Sequence, residues 1–152
     1  MKTVKLFSML SIVGFVLATG AAATEHKGSK KSLGSPMKAK LTGASESPGP
    51  GDPDGSGEVT MKAEAGQNRL CFKVKVSRID APTAAHVHKG VVGQSGPSVL
   101  VLSQVLANGS WKNCVDADPE LISDILRSPE DYYFNVHNGA YEKGALRGQF
   151  AK

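Results

Sequence analysis

The chain has 152 residues, 40% of them hydrophobic and 21% charged, with a formal net charge of +4. That length fits one ordinary domain after any leader is set aside. The basic excess does not describe a nucleic-acid face: from Leu41 onward there are 11 basic and 13 acidic residues, with no basic stripe interleaved with aromatics.

The first element is "MKTVKLFSMLSIVGFVLATGAAA", residues 1–23. Lys2 and Lys5 precede an apolar run from Leu6 to Ala18, and small residues follow, which is the three-part pattern of a secretory signal peptide. Ala21 and Ala23 suit cleavage before Thr24, and no cysteine near that point offers a lipid attachment site. The run is short for a bilayer span and no second one follows, so no transmembrane anchor is expected. The mature chain is expected to be exported, to a periplasm or to the extracellular space. Cleavage there would leave Thr24-Glu25-His26, where a free amine, two amide nitrogens and the His26 imidazole can wrap copper or nickel in a square plane.

Residues 24–37 contain Lys27, Lys30 and Lys31 and few apolar side chains, and read as a basic flexible linker. From residue 38 to 152, short apolar-alternating runs recur between Gly, Pro, Asp and Asn. They are "MKAKLTGA", "GEVTMKAEA", "RLCFKVKVS", "AAHVHKG", "GPSVLVLS", "GSWKNCVD", "YYFNVHN" and "ALRGQFA". In the third, Leu70, Phe72, Val74 and Val76 alternate with Cys71, Lys73, Lys75 and Ser77, the period of a half-buried strand. Seven or eight such strands indicate an all-β antiparallel sandwich or barrel. The loop "ESPGPGDPDGSGE" begins like a calcium loop at Asp52 but has Ala63 at the twelfth position, so it reads as turn chemistry. One short helix is predicted over 119–127, with Asp118 as cap, Pro119 first, and Leu121, Ile122, Ile125 and Leu126 as its apolar stripe. Asp116, Asp118 and Glu120 suit that helix start electrostatically, so no acid or base role is assigned to them.

Two cysteines, Cys71 and Cys114, with no C-x-x-C spacing in an exported chain point to one structural disulfide. A pair of thiol metal ligands or a reactive pair is the alternative. Trp111 is expected in the core near that disulfide, and Arg147 is read as a hydrogen-bonded or ion-paired strand residue, with an anion contact as its functional alternative.

The chain carries four histidines, and His86 and His88 lie two apart. On a strand they share a face, while Ala85 and Val87 take the core. In "YYFNVHN", Phe134 and Val136 are expected inward and Asn135 and His137 outward. If the two strands are neighbours, His86, His88 and His137 converge as ligands for a transition metal, copper ahead of zinc. The bland reading is a solvated pair on a wet strand face. No nucleophile elbow, H-E-x-x-H motif or phosphate loop is present.

In order, "LTGASESPGPGDPDGSGE", "RLCFKVKVSRI", "AAHVHKGVVGQSGPSVLVL", "WKNCVD" and "YYFNVHNGAYEKGALRGQF" resemble the CHRD (chordin-type) domain, over nearly all of 38–152. The resemblance implies an immunoglobulin-like antiparallel β-sandwich and a Cys71–Cys114 bridge. It implies no single activity. Three functions are therefore carried forward. The first is an exported binding module that captures copper. The second is an extracellular domain that binds a protein or polymer without metal. The third is a copper-dependent redox enzyme, since the H-x-H tripeptide is similar to that of copper/zinc superoxide dismutases, which are also β-sandwiches.

Overall fold

A computed structural model of the chain describes residues 32–64, 66–102 and 109–152. The expected signal peptide and His26 lie outside the described residues. Eight strands and one helix follow in chain order: β1 Ser32–Thr42, β2 Ser56–Glu64, β3 Arg69–Ser77, β4 Pro82–Lys89, β5 Ser98–Leu102, β6 Ser110–Asp116, α1 Pro119–Arg127, β7 Tyr132–Asn138 and β8 Leu146–Gln149. All eight strands join one antiparallel sheet in the order β5-β4-β7-β8-β1-β2-β3-β6. The fold is all-β with one short helix, as the alternation predicts.

The sheet makes its sandwich by folding over on itself. Phe72 on β3 and Phe134 on β7 have ring centroids 6.1 Å apart although three strands lie between them in the sheet. Trp111 stacks at 6.3 Å on Phe72, and Phe150 meets Phe134 edge to face at 6.4 Å. The inward set of each strand, such as Leu70, Phe72 and Val74 or Ala85 and Val87, is buried. Burial of this apolar area is the dominant favourable term in the fold.

β1 begins at Ser32, inside the segment that the sequence reads as a linker, and pairs with Glu64 and Ala63 at its start. Backbone pairing needs no apolar side chains, and composition alone missed it. The register shifts between Leu33 and Met37, where Gly34 takes φ +72° and Pro36 has no amide hydrogen to donate.

Helix α1 spans 119–127 as predicted. The Asp118 carboxylate accepts from the Glu120 amide at 2.7 Å, Pro119 occupies the first turn, and Ile122 and Ile125 are buried. The helix carries the chain from edge strand β6 to β7 in the other half of the sandwich.

Cys71 and Cys114 form a disulfide, because β3 and β6 place them directly opposite one another. Its position corrects one expectation. Trp111 is in the core at 6% exposure, but Cys71 alternates with the buried Leu70 and Phe72, so the disulfide sits on the outer face of the sheet.

Candidate metal centre

β4 and β7 are neighbours, and their register sets the site. Ala84 lies opposite His137, His86 opposite Asn135, and His88 opposite Tyr133. Directly opposed residues share a face, so His86, His88, His137, Asn135 and Tyr133 all project outward from the sheet. One ligand nitrogen from each histidine lies within 4.8 Å of those of the other two.

Asn135 faces outward as expected, but under cover rather than in water. Asn135 is 4% exposed, and every residue of β7 except the half-buried His137 is buried. The cover is the loop 90–97 between β4 and β5. The Tyr133 hydroxyl accepts from the Gly96 amide at 3.2 Å, and the Gln149 side-chain amide donates to the Gly90 carbonyl at 2.8 Å. Gly96 must be glycine for this approach, since a Cβ there would collide with the Lys89 carbonyl.

Arg147 is the deepest cation of the site at 2% exposure and, as the sequence reading favoured, a hydrogen-bonded strand residue. It lies opposite Asn135 on β8, stacks 3.5 Å above the Tyr133 ring, and donates to the Val91 and Gln94 carbonyls at 3.0 and 2.8 Å. Tyr133 in turn stacks on His88 with centroids 4.8 Å apart and planes 8° from parallel. Arg147 therefore pins both the cover loop and the aromatic platform behind His88. It reaches neither α1 nor bulk solvent.

Backbone carbonyls fix the tautomers. His88 Nδ1 lies 2.9 Å from the Gly96 carbonyl and His137 Nδ1 lies 2.9 Å from the Glu142 carbonyl. A carbonyl only accepts, so both Nδ1 atoms carry hydrogen and both Nε2 atoms carry lone pairs. His86 Nδ1 is 3.0 Å from His137 Nε2 and so donates to it, which leaves the His86 lone pair on Nε2 as well. A carbonyl holding the far nitrogen is the usual outer support of a metal-bound imidazole. His88 Nε2 is buried without a hydrogen-bond partner, an omission that costs about 1–3 kcal/mol unless a ligand fills it.

The electrostatics favour the neutral form of His86 and His88. Burial lowers the His86 pKa below its ordinary 6.5, and His137 and His88 nearby lower it further. Burial also lowers that of His88, partly offset by the bond to Gly96. Neutral imidazole is the ligating form. The donor set fits a transition metal: two nitrogens about 2.0–2.1 Å from one ion at cis or tetrahedral angles are about 2.9–3.4 Å apart, and His86 Nδ1 and His137 Nε2 stand 3.0 Å apart. His86 would thus ligate through Nδ1 once its hydrogen moves to Nε2.

Glu46 adds a half-buried carboxyl. Its carboxyl is pushed up to about 7 by burial, against the pull of Arg147, and it fills the space that a side chain on Gly144 would occupy. Sequence reasoning missed Tyr133, Asn135 and the loop carbonyls. Parity along β7 placed Tyr133 beside His137, but only the β4–β7 pairing shows which histidine it backs. A second metal-like group, Glu64, Cys71 and Cys114, offers no thiolate because both cysteines are bridged.

Residues 37–150 match the family model of the CHRD domain. No curated protein and no solved structure matches the chain.

Proposed function

Because the chain belongs to the CHRD domain family, found in extracellular and periplasmic proteins, we propose that it is an exported binding module that captures a transition metal, copper ahead of zinc. The observation that carries this reading is the convergence of three imidazoles, His86, His88 and His137, the last two held through Nδ1 by the Gly96 and Glu142 carbonyls. The disulfide agrees with an oxidising compartment. Among the described residues no helix is long and apolar enough to cross a membrane.

Copper is preferred because an all-imidazole set binds it most strongly among the divalent ions. The chain's own residues do three things. His86 would carry its hydrogen on Nε2 instead of Nδ1, which frees Nδ1 and the His137 Nε2 lone pair for the ion, while His88 offers its unpartnered Nε2 and Arg147 with Tyr133 holds the His88 ring in place. Three protein ligands leave a coordination position open, which the redox-enzyme reading also requires.

The test is titration of copper(II) and zinc(II) into the full chain carrying His26→Ala, which removes the N-terminal chelate. Binding of one ion, tighter than about 10 μM or near −7 kcal/mol, should weaken at least about tenfold in each of His86→Ala, His88→Ala and His137→Ala. Absence of binding at that level returns the three histidines to a structural role and leaves a module for a macromolecular partner. Copper-loaded protein without dismutase activity removes the enzyme reading alone.

A further inference from the structure

The outer face of the other half of the sandwich carries a second, unrelated arrangement. Register across β1, β2, β3 and β6 places Lys38, Thr60, Lys73 and Lys112 in one row. The row on one side holds Lys40, Glu58, Lys75 and Ser110, and on the other Lys62 stands opposite Cys71, which stands opposite Cys114. All six lysines are exposed, and among the described residues none enters an ion pair. The three rows thus hold six cations and one carboxylate.

This composition departs from an ordinary solvated sheet face, where opposite charges alternate across strands. Lys73 lies directly opposite Lys112, a like-charge placement that destabilises a sheet. Lys73 and Lys75 sit on β3, an interior strand, so they do not serve as edge protection. The cations form a lattice. Rows are about 7 Å apart along the strands and the lysine row crosses three strand spacings, about 14 Å. The disulfide and Thr60 line the shallow groove among them, and Glu64 and Arg69 close one end of it.

We infer that this face binds a linear acidic polysaccharide, its sulfate or carboxylate groups meeting the lysine lattice and its hydroxyls meeting Thr60. The face has no exposed aromatic for bases to stack on, which disfavours single-stranded nucleic acid. It has no exposed apolar side chain to enter a lipid surface; the exposed large hydrophobics Val91, Val92 and Val101 lie on loop 90–97 and β5 in the other half. The site stands apart from the histidines and does not depend on the metal reading.

The probe is a heparin-derived octasaccharide, titrated into the full chain at about 0.05 and 0.2 M salt. Binding in the micromolar range with steep salt dependence is expected. The double variant Lys73→Ser/Lys112→Ser should weaken it at least about tenfold and lower the salt slope by about two ions. Its melting temperature should equal or exceed that of the parent, because a like-charge pair has been removed. The charge-matched double variant Lys143→Ser/Lys152→Ser should bind within about twofold of the parent, and copper uptake should be the same in both. Equal loss in the two double variants would assign the effect to overall charge and overturn the site. No binding at about 0.1 mM octasaccharide would also overturn it. Tighter binding of anionic vesicles or of a single-stranded oligonucleotide through the same lysines would overturn the polysaccharide assignment.

Discussion

Arg147 holds a permanent charge at a position 2% exposed, offset by two loop carbonyls and the face of Tyr133. A planar guanidinium can do both at once and an ammonium cannot. Arg147→Lys is therefore expected to destabilise the fold by about 2–4 kcal/mol, on the scale of a disrupted buried charged bond, as read by urea unfolding. Glu46 and the two β4 histidines pull the acid response in opposite directions. The Glu46 pKa is raised from 4.5 to about 7, so the folded state keeps a proton that the unfolded state releases. That stabilisation is full below pH 4.5 and is lost as pH rises through 7. His86 and His88 have lowered values, so unfolded rings take up protons first as pH falls through 6.5, and stability falls there. Removing the carboxyl leaves only the histidine trend, so Glu46→Gln should lose more stability than the parent between pH 7.5 and 5. Parallel curves would show that Glu46 ionises at an ordinary value. At this scale the sequence displayed the shared face of His86 and His88 and the outward side of His137, because parity along a strand is local. It hid Gly96, Glu142 and Arg147, whose roles depend on where loops return.

Strand periodicity made the elements legible almost residue by residue. The eight alternating runs are the eight strands, and Asp118-Pro119 marks the helix start. Asp118→Ala removes the acceptor for the Glu120 amide and should cost about 1 kcal/mol, a shift that thermal unfolding resolves. The order of strands in the sheet was not legible. His88 and His137 are 49 positions apart, and nothing local says that β4 lies beside β7 or that β3 lies beside β6. The β1 start was missed for a related reason: the ladder to β2 is a backbone property that composition does not report.

For the whole molecule, the disulfide fastens edge strand β6 to interior strand β3 from outside the core. The two cysteines are 43 positions apart. In the chain-entropy account a loop of that length is worth about 4 kcal/mol. Since Phe72, Trp111 and Phe134 pack independently of it, Cys71→Ser/Cys114→Ser should still fold, with a lower denaturant midpoint and an unchanged near-ultraviolet aromatic spectrum. Loss of that spectrum would mean the bridge organises the core.

Lys38 and Ala151 exchange two backbone hydrogen bonds, at 2.8 and 2.9 Å, and these positions fall at the two limits of the family match. The matched segment thus leaves the sheet beside the point where it begins, while residues 32–37 carry β1 on along β2. It can be threaded into a host polypeptide like a bead on a loop, displacing the flanking segments by little more than one strand spacing, about 5 Å. Joining those two points with a short Gly-Ser bridge and cutting elsewhere, in the turn around Gly66, should give a circularly permuted chain that folds to the same sandwich.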